Sequence, residues 1–269
     1  MTIQEVIRKR RSVRAFNGKP LNDTDKQNLL NCFQTSTNPF GIPVEFRFLN
    51  AKEHDLSSPV IVGTDEYVAA KVSRTSFFEV AYGYSFEKFC LYALSLGIGT
   101  VMLAGTLSRK TFEKAMELAE NEIMLVASPV GYPADKMSVR EKIMRKGVKA
   151  NERLPFEKLF FEGTFEQPLT ANNAGNLRDA LEMVRLAPSA VNKQPWRAVV
   201  CKNVVHFFEK KSNGLQNEIR DLQKVDIGIA LAHFHLTLQE MGISGTFVTK
   251  DIDFTTDKAT EYVISFEVQ

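Results

Sequence analysis

Cysteine is scarce in this chain: Cys32, Cys90 and Cys201 are the only three among 269 residues. None lies close in sequence to another or to His54, His206, His233 and His235. Neither a metal site nor a disulfide framework is therefore expected, and a reducing cytoplasm suits the chain. An excess of one charge sign is also missing. Lysine and arginine total 34 against 32 acidic residues, leaving +2, so no global electrostatic case exists for nucleic acid or membrane surfaces. The opening MTIQEVIRKRRS has no apolar stretch behind its basic residues, and no signal peptide is expected. What is present is an ordinary globular balance, 44% hydrophobic and 25% charged, sufficient for one large core or two smaller ones.

Long apolar runs are rare, with one exception. FCLYALSLGIGTVMLAGTLS (89–108) carries no charge and has the length of a membrane span. Gly97 and Gly99 interrupt it, as at a helix end leading into a buried strand. A second segment decides between these readings. AYGYSFEKFCLYALSLGIGTVML (81–103) aligns with DIGIALAHFHLTLQEMGISGTFV (226–248) at an offset of 145. Gly83 falls on Gly228, Phe89 on Phe234, Leu91 on Leu236 and Gly97-Ile98 on Gly242-Ile243. Glu240 replaces Ser95 in the later copy, so both are read as buried helix-to-strand units of a soluble domain, not as spans.

The match extends outward. EFRFLN (45–50) lies over PWRAVV (195–200), and EIMLVASPVGY (122–132) over EYVISFEV (261–268), all strand-like. LNDTDKQNLLNCF and LTANNAGNLRDALEMV each begin at the Leu of a Pro-Leu pair and read as N-capped amphipathic helices. A period near 150 is too long for a solenoid and points to duplication of a whole domain. The seam is placed within 153–165, giving repeats 1–155 and 156–269. Each reads helix, helix, strand, long helix, strand, strand, with a further helix near 108–119 in the first. This is an α+β arrangement of sheets with helices packed on them. The long helices, 79–96 and 226–241, are apolar nearly all round and are expected to bury each other.

Two short motifs carry chemistry. RKRRSVR sets Arg10, Arg11 and Arg14 around Ser12. Arginine forks bind phosphate bidentately and a hydroxyl adds a donor. A solvated basic helix end or a nucleic-acid patch would look the same over seven residues. APSAVNKQPW supplies a proline turn, small residues, an asparagine and the chain's one tryptophan, Trp196. Such a turn can approach a flat ring, although alone it could be a plain helix-to-strand connection.

Together the motifs resemble the nitroreductase family of flavin enzymes. Arg10-Arg11-Ser12-Val13-Arg14-Ala15-Phe16 is similar to its arginine-rich start, and Pro188-Ser189-Ala190-Val191-Asn192-Lys193-Gln194-Pro195-Trp196 to its turn. GIGTVMLAGT, VGYPADK and NERLPFEKL extend the resemblance, within which the two-copy TM nitroreductases stand nearest. The resemblance implies a nitroreductase-like fold, an FMN cofactor, and Arg10, Arg11, Ser12 and Arg153 on the flavin phosphate and ribityl chain. It implies Arg14 at the pyrimidine end and Leu103, Ala104 and Gly105 beneath the ring with a backbone N–H on its reactive nitrogen. Pro188, Ser189 and Asn192 would cover the dimethylbenzene side and ribityl chain, with Asn50 a weaker candidate for the pyrimidine edge.

Single-copy members of the family are homodimers that build each site from both subunits. Here the first copy keeps RRSVR but carries TSTNPFGIPVEF where the turn would be, while the second keeps the turn and begins FFEGTFEQPL. The resemblance therefore implies a monomeric pseudo-dimer with one working site, and a dead one where Phe160, Phe161 and Glu162 stand near the places of the arginines. The expected activity is hydride transfer from NAD(P)H through flavin to a nitroaromatic, quinone or similar small acceptor, with no membrane or nucleic-acid partner. Other flavin chemistry (reductive dehalogenation, flavin handling) and a non-enzymatic degenerate scaffold stand as alternatives.

Overall fold

The computed structural model describes residues 1–217 and 219–269. The first half runs α1 (Ile3–Lys9), α2 (Asp23–Thr35), β1 (Glu45–Asn50), α3 (Ala51–His54), β2 (Glu66–Ser73), α4 (Phe78–Ser95), β3 (Gly99–Thr100), α5 (Arg109–Ala115), β4 (Glu122–Ile123), β5 (Ala127–Gly131) and α6 (Val139–Gly147). The second half runs β6 (Phe160–Glu162), α7 (Arg178–Leu186), β7 (Trp196–Cys201), β8 (Val204–Lys210), α8 (Leu222–Glu240), β9 (Gly245–Val248) and β10 (Thr260–Val268).

Each half builds one sheet, and the two share a path. The first sheet is ordered β1-β2-β5-β3, with β4 beside β2, and the second β7-β8-β10-β9 with β6 added outside β7. All pairings are antiparallel except β6 on β7, which is parallel. Strands β2 and β8 were not expected from the sequence. Both are buried continuously through their middles, so neither shows the alternation that marks a half-exposed strand. The second half also lacks the first of its two expected helices. Phe160–Glu162 is an edge strand instead, and Leu177 ahead of α7 offers no side-chain cap. The α2 expectation holds, since Asn22 accepts the Asp25 N–H at 2.7 Å.

The long helices form the centre. Val80, Tyr82, Phe86 and Phe89 of α4 join Val225, Ile229, Leu231 and Phe234 of α8 in one core with both sheets. Their backbones touch at two glycines. A Cβ on Gly83 would overlap the Val225 carbonyl, and one on Gly228 would overlap the Val80 carbonyl. The contacts are reciprocal, and each carbonyl stands three residues before the glycine of its own helix. The segment 89–108 resolves as the end of α4, a left-handed turn at Gly97 and strand β3. Among the described residues no helix is long and apolar enough to cross a membrane.

Candidate functional site

The basic strip starts where α1 stops. A Thr2/Glu5 capping box begins this helix, and Arg10 closes it in an extended conformation. Residues 10–16 then cross the end of the first sheet, with Val13 N–H donating to Thr100 O at 2.9 Å and Phe16 N–H to Val62 O at 2.9 Å. In extended chain successive side chains point to opposite sides. Val13 and Ala15 go into the core, while Ser12 and Arg14 face a cleft of about 390 Å³.

Three other segments line this cleft. Val101–Ala104 leaves β3 and forms one wall, held by Leu103 N–H on Ala127 O at 2.8 Å and by Arg109, which donates to the Ala104, Met124 and Leu125 carbonyls. Leu103 has thus spent its N–H. Among the described residues, that of Ala104 has no acceptor. Pro188–Asn192 comes from the other half, and Val191 and Asn192 take left-handed φ values of 44° and 56°, costly for residues with a Cβ. Hydrogen bonds from all round hold the turn. Both Asp226 carboxyl oxygens lie 3.0 Å from Ala190 N, Ser189 Oγ accepts Gln194 N–H at 2.9 Å, and Asn192 Nδ2 donates to the Lys149 and Glu152 carbonyls. The loop after α6 completes the cleft with Arg153, whose guanidinium donates to the Ala150, Glu152 and Leu186 carbonyls and to Asn192 Oδ1.

Ten of the eleven predicted site residues therefore line one cleft: Arg10, Arg11, Ser12, Arg14, Leu103, Ala104, Arg153, Pro188, Ser189 and Asn192. Gly105 does not; it is exposed, and the wall passes from Ala104 to Thr106. Asn50 lies outside as well, capping α3 through Lys52 N–H at 2.9 Å. Asn192 is placed at the cleft, but its amide is spent on the 149–153 loop.

Several groups escaped the sequence reading. Arg8 and Arg145 also line the cleft, making six arginines there with Arg10, Arg11, Arg14 and Arg153. Glu141 of α6, 1% exposed, pairs with Arg11 at 3.2 Å and so docks that helix on the basic strip. Burial pushes Arg14 and Arg153 below the usual guanidinium range, and Arg10 and Arg145 push both further down. The Nε atoms of both are buried without an acceptor. Asp226 is the cleft's carboxyl, raised well above the carboxylate range by burial. Its signal in the sequence is an acid within an apolar helix, opposite Ala81 of the first copy.

A second cleft, of about 640 Å³, is lined by the 39–43 loop, by Ser73 and residues 75–77, by residues 247–249 at the end of β9, and by Ile264. Phe40 stacks with Phe77 at 6.3 Å and tilts against Phe247 at 5.4 Å. Among the described residues no charged side chain lines it. Phe160, Phe161 and Glu162, expected at the corresponding place, lie elsewhere, along β7. Among the described residues no group of three or more His, Cys, Asp or Glu side chains is placed to hold a metal.

An α+β molecule with this strand path and an arginine-lined cleft between its halves has the fold of the nitroreductases. A solved structure from Thermotoga maritima MSB8, described as a "putative nitroreductase", superposes over 100% of this chain and 93% of its own, with a TM-score of 0.65 at 19% identity. The family model described as "Putative TM nitroreductase" matches residues 2–238, and the chain belongs to that family. Smaller relatives match about half of it. A nitroreductase family protein from Clostridium difficile 630 covers 59% of this chain and 96% of its own at 11% identity and TM-score 0.47. A "putative nitroreductase" in complex with FMN from Desulfovibrio desulfuricans covers 51% and 88% at 18% identity and TM-score 0.41. No curated protein matches the sequence.

Proposed function

We propose that the chain is an FMN-dependent oxidoreductase using NAD(P)H to reduce a nitroaromatic, a quinone or a similar small acceptor. The supporting observation is the meeting of RRSVR, Arg153 and the Pro188–Asn192 turn around one cleft. The residues fit FMN. Six arginines line the cleft, and the buried Nε–H groups of Arg10, Arg14 and Arg153 lack an acceptor among the described residues; a phosphate monoester supplies an anion with several acceptor oxygens. Arg10, Arg11, Ser12 and Arg153 would hold the phosphate end. Arg14 would stand by the pyrimidine, where a cation favours negative charge on the ring. The 101–104 wall and the turn would enclose the ring, with Ala104 N–H the available donor. When bound, FMN would supply the hydride chemistry, taking a hydride from NAD(P)H and passing it to the acceptor. The chain's own task is to bind, orient and shield; no side chain is assigned as acid or base.

The purified protein titrated with FMN should turn yellow and bleach anaerobically with NADH or NADPH. FMN should bind at least tenfold more tightly than riboflavin, because one charge-assisted bond to phosphate is worth about 1.5–3 kcal/mol. Arg153→Ala should narrow that difference. A bound flavin that stays oxidised under excess NADH and NADPH would favour the scaffold reading.

A further inference from the structure

A buried ion cluster joins the phosphate end of the cleft to the crossing of the long helices. Glu87 of α4 and His233 of α8 are both fully buried, and Glu87 Oε1 lies 2.9 Å from His233 Nε2 and 2.9 Å from Arg10 Nε. His233 Nδ1 is 2.9 Å from the Met183 carbonyl oxygen. A carbonyl only accepts, so Nδ1 carries a hydrogen. Three elements and both halves of the chain thus meet at one oxygen atom.

Holding helices together does not require this. Apolar residues of the same volume usually do so as well or better, because burying ions costs desolvation. The arginine shows another use. Arg10 lines the cleft with its side chain only 7% exposed. Among the described residues no oxygen is aligned with any of its N–H groups; even Nε–H, close to Glu87, does not point at it. The ion pair sets where the guanidinium sits without consuming its donors.

We infer that Glu87 and His233 are positioning residues for Arg10, holding its guanidinium ready for the phosphate and tying its placement to the contact of α4 with α8. The inference rests on the cleft being the FMN site. Glu87→Gln, and separately the apolar pair Glu87→Leu/His233→Phe, would be titrated with FMN and with riboflavin by fluorescence quenching, with thermal unfolding followed on the same samples. Riboflavin affinity should match the parent protein, while FMN affinity falls about tenfold. On an Arg10→Ala background, Glu87→Gln should cost FMN nothing more. A parent protein that binds FMN no tighter than riboflavin would overturn the phosphate reading itself. A parent that discriminates, with variants that discriminate equally, would overturn the positioning role alone, as would equal loss of both ligands. Glu87→Asp, which keeps the charge and shortens its reach by one carbon, carries the same expectation should the other variants not fold.

Discussion

Glu209 shows how one residue ties stability to pH. It stands on β8 opposite Trp196 of β7, fully buried, and both its carboxyl oxygens and Trp196 Nε1 lack partners among the described residues. Burial first, then Asp221, pushes its pKa from 4.5 up to about 7. An acid raised in this way holds its proton more tightly when folded than when unfolded. Its contribution to stability is complete below pH 4.5 and is lost as the pH climbs through 7. Glu209→Gln mimics the protonated form and should stabilise the protein at pH 8 while changing little at pH 4. Urea unfolding at both pH values tests this, and an equal difference at each would refute it.

At the scale of elements, the crossing of α4 and α8 depends on the absence of two side chains. Alanine normally favours a helix over glycine by about 1 kcal/mol. At Gly83 and Gly228 the sign should invert, because a Cβ meets backbone that cannot move without parting the helices. Gly83→Ala and Gly228→Ala should each cost about 1–3 kcal/mol. Gly147→Ala, at the end of α6 with nothing within 4 Å of a Cβ, should be neutral or mildly stabilising. Denaturant midpoints of the three variants would decide, and a stable Gly83→Ala would disprove the close crossing. This pair was legible beforehand because a helix leaves a dense pattern, including its glycines, repeated at an offset of 145. Strands β2 and β8 were not, since a strand covered on both faces carries no period of its own.

The same contrast divides the site. The arginine strip and the proline turn are each contiguous in sequence, so both could be picked out as local motifs before the cleft that brings them together was seen. Glu87, Glu141 and Asp226 are single acids scattered through helices, and only packing shows what each one holds. Gly105 belongs to the same contiguous motif, yet it is exposed while Ala104 and Thr106 on either side of it line the cleft.

For the whole molecule, the two sheets with one strand path and the reciprocal glycine contacts support an internal duplication, with 1–155 and 156–269 as its copies and α4 on α8 as the seam of a pseudo-dimer. On that reading β6 opens the second copy and lies beside β7 at the edge of its sheet. The two clefts then occupy equivalent places: 101–104 corresponds to β9, and the Pro188–Asn192 turn to the 39–43 loop. Only one of them suits FMN. In the other, Phe40, Phe77 and Phe247 lean on one another where a ring would lie, and no cation lines the walls. A phosphate left there without donors would cost several kcal/mol, enough to abolish binding at micromolar flavin. One FMN per chain is therefore expected, with the chain a monomer, because α4 and α8 already bury each other. Flavin absorbance measured against protein concentration, with light scattering on the same sample, tests both statements. Two flavins per chain would mean that the second cleft opens, and a flavin that appears only in a dimer of chains would mean that the fused halves do not complete each other's site.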